Sequence, residues 1–156
     1  MEDKILEKNI IIEAKYITNG LQDYIKEKLD ELVNTCTKEN GYIIKIKNIK
    51  NIKNNKILKN SGNLLCQILY NATVFKPYKN LETNCKVTMI FRHGIFGECN
   101  QMPVLIPYTK LNDYEYDNEK FKNKDIEIKV GDIITIIITD IRYSKKQFNC
   151  IASLKI

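Results

Sequence analysis

The side chains with reactive potential in this chain are few and scattered. His93 is the single histidine, and the five cysteines are Cys36, Cys66, Cys85, Cys99 and Cys150. No two cysteines form a CxxC pair and none has a histidine beside it, so zinc ligation and a disulfide framework both lack their spacing. An odd, widely spaced set fits buried free thiols in a reducing compartment. One histidine removes most metal and acid–base chemistry, and GxSxG, P-loop and GxGxxG motifs are absent. Glu98, Asp132 and Asp140 are the carboxylates a nuclease could use, but they are not close-set as two-metal catalysis requires. The residue types therefore point away from an enzyme, from a bound metal and from a cofactor.

What remains is charge and aromatic surface. From Asn40 to Leu81 there is no Asp or Glu, yet there are eight lysines: Lys45, Lys47, Lys50, Lys53, Lys56, Lys59, Lys76 and Lys79. Acids gather later, at Asp113, Glu115, Asp117, Glu119, Asp125 and Glu127. The net charge of +6 is thus lopsided, which suits an anionic or acidic partner on one side. A solvated lysine face, favoured by Lys/Asn/Ile-rich coding, accounts for it equally well. With 44% hydrophobic and 28% charged residues the composition is that of a soluble globular protein. No apolar run has the length of a membrane span, and Met1 to Lys8 lacks the order of a secretory signal, so no membrane partner is expected.

The elements that must position these groups follow from periodicity. Asn9 to Tyr16 is an apolar run of strand length. Asn19 is a candidate helix cap with Gln22 at the capping-box position, and Leu21, Tyr24, Ile25, Leu29, Leu32 and Val33 then recur at helical spacing. One amphipathic helix is expected over roughly residues 19 to 33. Gly41 opens a strand in which Tyr42, Ile44 and Ile46 alternate with Ile43, Lys45 and Lys47, so one sheet face should be wet. Asn54-Asn55 and Asn60-Ser61-Gly62 read as two tight turns on a projecting, lysine-bearing loop. Leu64 to Lys79 is a long strand rich in β-branched and aromatic residues, and Pro77 marks where its pairing must change hands.

Beyond it, strands are expected at Asn84 to Arg92, Ile95 to Cys99, Val104 to Tyr108, Asp132 to Tyr143 and Gln147 to Leu154. The fourth is apolar enough to suggest a barrel wall covered on both sides. A 110–129 insertion carrying the acids is expected to be a loop with at most a helical turn. The fold class is therefore α+β: a small sheet crossed by one helix, then a five-stranded OB-fold barrel. On the barrel's usual ligand face lie Phe91, Arg92, His93, Phe96 and Tyr108, with Arg142, Tyr143, Lys145, Lys146 and Phe148 on the closing hairpin. Aromatics among cations suit single-stranded nucleic acid, because bases stack while cations follow phosphates. For Phe91, Phe96 and Phe148 taken singly, an inward core position is the simpler reading, and His93 before Gly94 reads as a loop residue.

Several stretches resemble a known family. Lys15-Tyr16, Thr35-Cys36-Thr37 with Gly41-Tyr42-Ile43-Ile44, and Val74-Phe75-Lys76-Pro77-Tyr78-Lys79 are similar to the motifs "TCTxxxGFVI" and "VFRPFK" and their surroundings in subunit 7 of RNA polymerase II. The archaeal counterpart of that subunit and the related polymerase I and III subunits share them. Gly94-Ile95-Phe96 with Glu98, Asp125-Ile126-Glu127-Ile128 and Ala152-Ser153-Leu154 continue the resemblance. The family's tip glycines are largely replaced by Lys53, Asn55 and Asn60, its barrel-opening glycine by Asn80, and a histidine-serine pair by Thr109-Lys110.

The resemblance implies a non-catalytic polymerase stalk subunit without cofactor. A docking module over residues 1–78 would be followed by an RNA-binding OB-fold over residues 79–156. By position, Asn51, Ile52, Lys53, Asn55, Lys56, Asn60 and Gly62 would dock to the polymerase core near its clamp, against the two largest subunits. Arg92, His93, Phe96, Tyr108, Arg142, Lys145 and Lys146 would face nascent single-stranded RNA. A helical partner of the subunit 4 type is also implied. Chain length and Lys/Asn/Ile usage suggest a divergent polymerase such as that of a large DNA virus, which would place the protein in cytoplasm or virion; otherwise the nucleus is expected. The competing reading is a free-standing single-stranded RNA-binding protein with the same barrel.

Overall fold

The computed structural model describes residues 1–17 and 20–155, with Asn54 described by its backbone alone. The chain divides into two compact units, one of Met1–Cys36 with Asn40–Lys76, the other of Thr37–Glu39 with the chain from Pro77 onward.

In the first unit, β1 (Glu2–Ile12) leads to α1 (Leu21–Asp30), then β2 (Cys36–Thr37), β3 (Gly41–Ile57) and β4 (Leu64–Phe75). Their order in the sheet is β1-β4-β3-β2. β4 lies inside the sheet, and its period of two sends Cys66, Ile68, Tyr70, Ala72 and Val74 to one buried face. Against that face α1 packs Ile25 and Leu29, both essentially inaccessible. The helix is shorter than its apolar stripe suggests. Asn34 takes φ +72 and donates its N–H to the Ile43 carbonyl at 2.8 Å, which turns the chain back to the sheet. The expected Asn19 cap lies outside the described residues. Gly20 stands at the N-cap with φ +78 and no side-chain cap bond.

β1 is longer at its start than the apolar run Asn9 to Tyr16. It pairs with β4 without a break from Glu2↔Val74 to Ile12↔Leu64. Lys4 and Lys8 interrupt the row that contains Leu6, Ile10 and Ile12, so its alternation is hidden in sequence. Ala14–Tyr16 forms a 3-10 turn rather than strand, and the Ala14 N–H is taken by Asn63 Oδ1 at 3.1 Å.

The larger departure is in β3. Asn54-Asn55 is not a turn: the strand runs through it to Ile57, and the hairpin reverses later, over 58–63. Lys53 opposes Gln67 and Lys56 opposes Leu65, so the two asparagines form a β-bulge. Register shifts also fall at Ile43/Lys45, Ile46/Asn48 and Ile49/Asn51. Each inserts one residue, so three steps along β3 match two along β4. Ile43, Ile46, Ile49 and Ile52 consequently oppose Val74, Ala72, Tyr70 and Ile68 in turn, and a three-residue isoleucine repeat lies along one core-facing row. Gly41 at the head of this strand has φ +80, and a Cβ there would run into the Phe75 carbonyl.

The second unit is a closed barrel of β5 (Glu82–Phe91), β6 (Gly94–Cys99), β7 (Met102–Pro107), and, after an insertion, β11 (Ile133–Ser144) and β12 (Gln147–Leu154). The order around it is β11-β12-β7-β6-β5, with β11 pairing back onto β5. This is the five-stranded OB layout. Val87, Ile95, Met102, Val104, Ile106, Ile136, Ile138 and Ala152 are buried here, with Cys85, Cys99 and Cys150 among them. β11 is not covered on both sides: Ile136 and Ile138 are buried, whereas Ile133 is 73% exposed.

The insertion is not a loop. β8 (Glu115–Tyr116), β9 (Phe121–Lys122) and β10 (Glu127–Ile128) make a small sheet after a 3-10 turn at Tyr108–Lys110. Leu111, Phe121 and Ile128 are buried. Asp117 meets Lys122 at 2.8 Å and Glu127 meets Lys120 at 2.9 Å, so part of the acid cluster is paired locally.

Candidate nucleic-acid interface

A groove of about 610 Å³ crosses the outside of the barrel, lined by Phe96 of β6, Pro103 and Leu105 of β7, Asp140 and Arg142 of β11, and Asn149 and Ile151 of β12, among others. The strands dictate this grouping. Phe96 pairs with Leu105, Leu105 with Ile151, Ile151 with Asp140, and Arg142 with Asn149, so alternate residues of four strands stand side by side. The floor is apolar, and the rim carries a guanidinium, a carboxylate and an amide. Neither Asp140 nor Arg142 has an ion pair among the described residues.

Two of the three phenylalanines do not take the core position that each suggests alone. Phe91 is 45% exposed and Phe96 36%, and their rings meet edge to face with centroids 5.8 Å apart. Phe148 is buried and tilts against Tyr143 at 5.0 Å. The reason is register: Phe96 sits between the buried Ile95 and Gly97, and β5 slips by one residue between Val87 and Met89, which turns Phe91 outward.

Arg92 and His93 form the tight turn between β5 and β6. Gly94 follows because a Cβ there would strike the Ile106 carbonyl. The Tyr108 N–H donates to the His93 carbonyl at 2.8 Å, which brings exposed Tyr108 beside that turn. Lys145 and Lys146 occupy the two-residue turn between β11 and β12 with φ +52 and +61, the left-handed pair such hairpins demand. Phe96 and Arg142 thus share the groove, His93 and Tyr108 share a strand end, and Lys145 and Lys146 occupy a hairpin tip. Asp140, Asn149, Leu105 and Ile151 escape a reading of the sequence because only strand pairing places them beside Phe96.

The thiols lie apart from solvent. Burial pushes the Cys85 and Cys150 thiols up to about 12, with Cys99 adding to both and Glu98 to Cys85. All five cysteines are buried thiols, and no cluster of three or more His, Cys, Asp or Glu among the described residues could hold a metal. No helix among those residues is long and apolar enough to cross a membrane.

Of the residues expected to dock, Asn51, Ile52, Lys53, Asn55 and Lys56 lie on the distal half of β3, and Asn60 and Gly62 lie in the turn beyond it. They share the far end of one hairpin. The Gly62 N–H closes that turn on the Leu58 carbonyl at 2.9 Å, with Gly62 at φ +72.

A one-helix sheet followed by an OB-type barrel defines a class of two-module proteins, and residues 7–62 match the SHS2 domain found in the N terminus of Rpb7p/Rpc25p/MJ0397. Similarity then extends through the barrel. DNA-directed RNA polymerase V subunit 7 of Arabidopsis thaliana is 29% identical, covering 77% of this chain and 71% of its own. RNA polymerase II subunit RPB7 of Glycine max is 23% identical over 97% of this chain and 90% of its own. The Dictyostelium discoideum rpb7 subunit is 26% identical, at 96% and 92%. The chain is thus similar to Rpb7-type subunits through both of its units.

Proposed function

We propose that this chain is a non-catalytic subunit of a multisubunit DNA-directed RNA polymerase, held to the enzyme by its first unit and contacting nascent RNA with its barrel. The observation that supports the polymerase assignment best is likeness to subunit 7 proteins along almost the whole chain, across both units. For RNA contact, the outward pair Phe91–Phe96 and the unpaired Arg142 offer a stacking platform beside a cation, with Arg92, His93, Tyr108, Lys145 and Lys146 around it. Docking falls to the far end of the β3–β4 hairpin, whose turn around Asn60 and Gly62 is exposed. Its socket on the polymerase core lies near the clamp, against the two largest subunits, and a helical subunit of the 4 type is a further candidate partner. Such a subunit works where transcription occurs, which for its eukaryotic relatives is the nucleus, and it supplies position and charge without turnover of its own.

The test is an affinity purification of tagged protein from its native source, washed at moderate salt and read by mass spectrometry. Recovery of the two largest polymerase subunits is expected. Their absence, with RNA still retained, would favour a free-standing single-stranded RNA-binding protein.

A further inference from the structure

The three thiols of the barrel are not equivalent. Cys85 lies on β5, Cys99 ends β6 and Cys150 lies on β12, and all are buried. In the order β11-β12-β7-β6-β5, Cys150 stands two strand spacings from each of the others, a separation above ~7 Å that a disulfide does not span. Its sulfur is also engaged elsewhere, donating to Met102 Sδ at 3.4 Å. In the first unit β3 likewise stands between Cys36 of β2 and Cys66 of β4. Of the five cysteines, all among the described residues, only Cys85 and Cys99 share a unit and occupy neighbouring strands.

β5 and β6 pair Val87 with Gly97 and Lys86 with Glu98, so the next step of the register sets Cys85 opposite Cys99. The backbone fixes the kind of pair. Val87 donates its N–H to the Asp132 carbonyl at 2.8 Å and accepts the Gly131 N–H at 2.9 Å, both from the turn leading into β11, so its polar groups face away from β6. Cys85, two residues earlier, faces the same way, opposite Ile134 of β11. Cys85 and Cys99 are therefore a non-hydrogen-bonded pair, the closer antiparallel type at ~4.5 Å between Cα atoms, within the range a disulfide takes. Both side chains enter the barrel. A Cβ on Gly97 would collide with Cys85 Sγ, so that glycine leaves the sulfur room to lean onto β6. Cys99 Sγ lies 3.4 Å from Thr83 Oγ1 and so leans onto β5. Each sulfur reaches over the other's strand, and rotation about χ1 brings the two together.

We propose that Cys85 and Cys99 are a redox-modification site, a dithiol that hydrogen peroxide converts into a cross-strand disulfide clamping β5 to β6. One sulfur, as thiolate, attacks a peroxide oxygen; the O–O bond breaks, a sulfenic acid forms, and the departing hydroxide takes a proton and leaves as water. The second sulfur gives up its proton and attacks the sulfenic sulfur, so the S–S bond forms, the S–O bond breaks and a second water leaves. Two thiols lose two electrons, and peroxide is reduced to two waters. Cys99 borders the exposed turn at Asn100-Gln101, so fraying at that hairpin end admits an oxidant little larger than water. Burial holds the Cys85 thiol up to about 12, so thiolate is scarce at neutral pH and the rate should climb with pH. The bond keeps the register of the reduced fold and ties together the two strands that carry Phe91 and Phe96.

The test treats the folded full chain with hydrogen peroxide, blocks the remaining thiols with iodoacetamide in denaturant, and maps linkages by mass spectrometry. Trypsin cuts after Lys86 and Arg92, so the bond would join peptides 80–86 and 93–110, two hydrogens lighter than their sum. That linked species is expected as the main product, reversed by dithiothreitol and formed equally in Cys150→Ala. The oxidised wild type should melt roughly 5–10 °C higher, as closing a loop of this length implies, and peroxide-treated Cys99→Ala should show no such rise. The proposal is overturned if both cysteines stay thiols until the barrel is unfolded, if they end as sulfinic acids without a linkage, or if another pairing predominates.

Discussion

Replacing Phe96 by alanine separates the barrel's surface from its core. Phe96 keeps 36% of its surface exposed, and its ring partner is Phe91, edge to face at 5.8 Å. Losing that contact should cost about 0.5–1.5 kcal/mol of stability. Stacking a base on an aromatic side chain is worth ~1–3 kcal/mol when measured by alanine substitution, so affinity for a single-stranded RNA should fall roughly 5- to 150-fold. Phe148→Ala is the internal control: its buried ring should cost ~3–5 kcal/mol of stability, and it should affect RNA only as the barrel loosens. The assay is anisotropy of a labelled single-stranded RNA together with denaturant unfolding of each variant. An unchanged RNA affinity in Phe96→Ala, or a loss fully matched by unfolding, would refute the stacking role.

Other expectations concern the frame that holds these surfaces. Gly41→Ala should destabilise the first unit strongly, since the added carbon meets the Phe75 carbonyl at φ +80, whereas Gly62→Ala meets open space and should cost only the ~1–2 kcal/mol of a left-handed alanine; denaturant midpoints rank the two. Hydrogen bonds from Lys47 and then Thr73 hold the Asp3 carboxyl below its ordinary value. The stability this adds is complete above the ordinary carboxylate range and is lost as pH falls through the lowered value, so acid unfolding of Asp3→Asn should lack that component. Cys85 and Cys150 should resist alkylation at pH 8 in the native protein and react once denaturant opens the barrel, as mass spectrometry of labelled peptides would register.

Sequence alone serves well where one periodicity rules an element. β4 is visible from Leu64 because alternate residues fall inward, but the strand expected to run to Lys79 ends at Phe75, two residues before Pro77, which has no N–H to give the ladder. β3 is opaque for the opposite reason. The period-two alternation expected over Tyr42–Lys47 fails, because Ile43 is buried in one row with Ile46, Ile49 and Ile52, and only the partner strand reveals that bulges convert a spacing of three into a single face. Asn54-Asn55 has turn chemistry, yet a bulge accommodates the same residues within a strand. In the insertion each strand has two residues, too few for any periodicity, and its sheet is specified by Phe121, Ile128 and two ion pairs. The groove is partly legible: Phe96 and Arg142 stand out as types, while Asp140 and Asn149 join them only through strand pairing.

The barrel closes through its shortest pairing. β7 and β12 run parallel and meet at two residue pairs, Cys150↔Val104 and Ile151↔Leu105, whereas β11 and β12 are paired along most of their length. Val104, Leu105, Cys150 and Ile151 all line the groove, so the groove lies over the seam. A strand of nucleic acid resting there would bridge two staves of a cask at the joint with the fewest hoops. A ligand that binds the groove only when the seam is closed would shift the balance against opening there, in proportion to its occupancy.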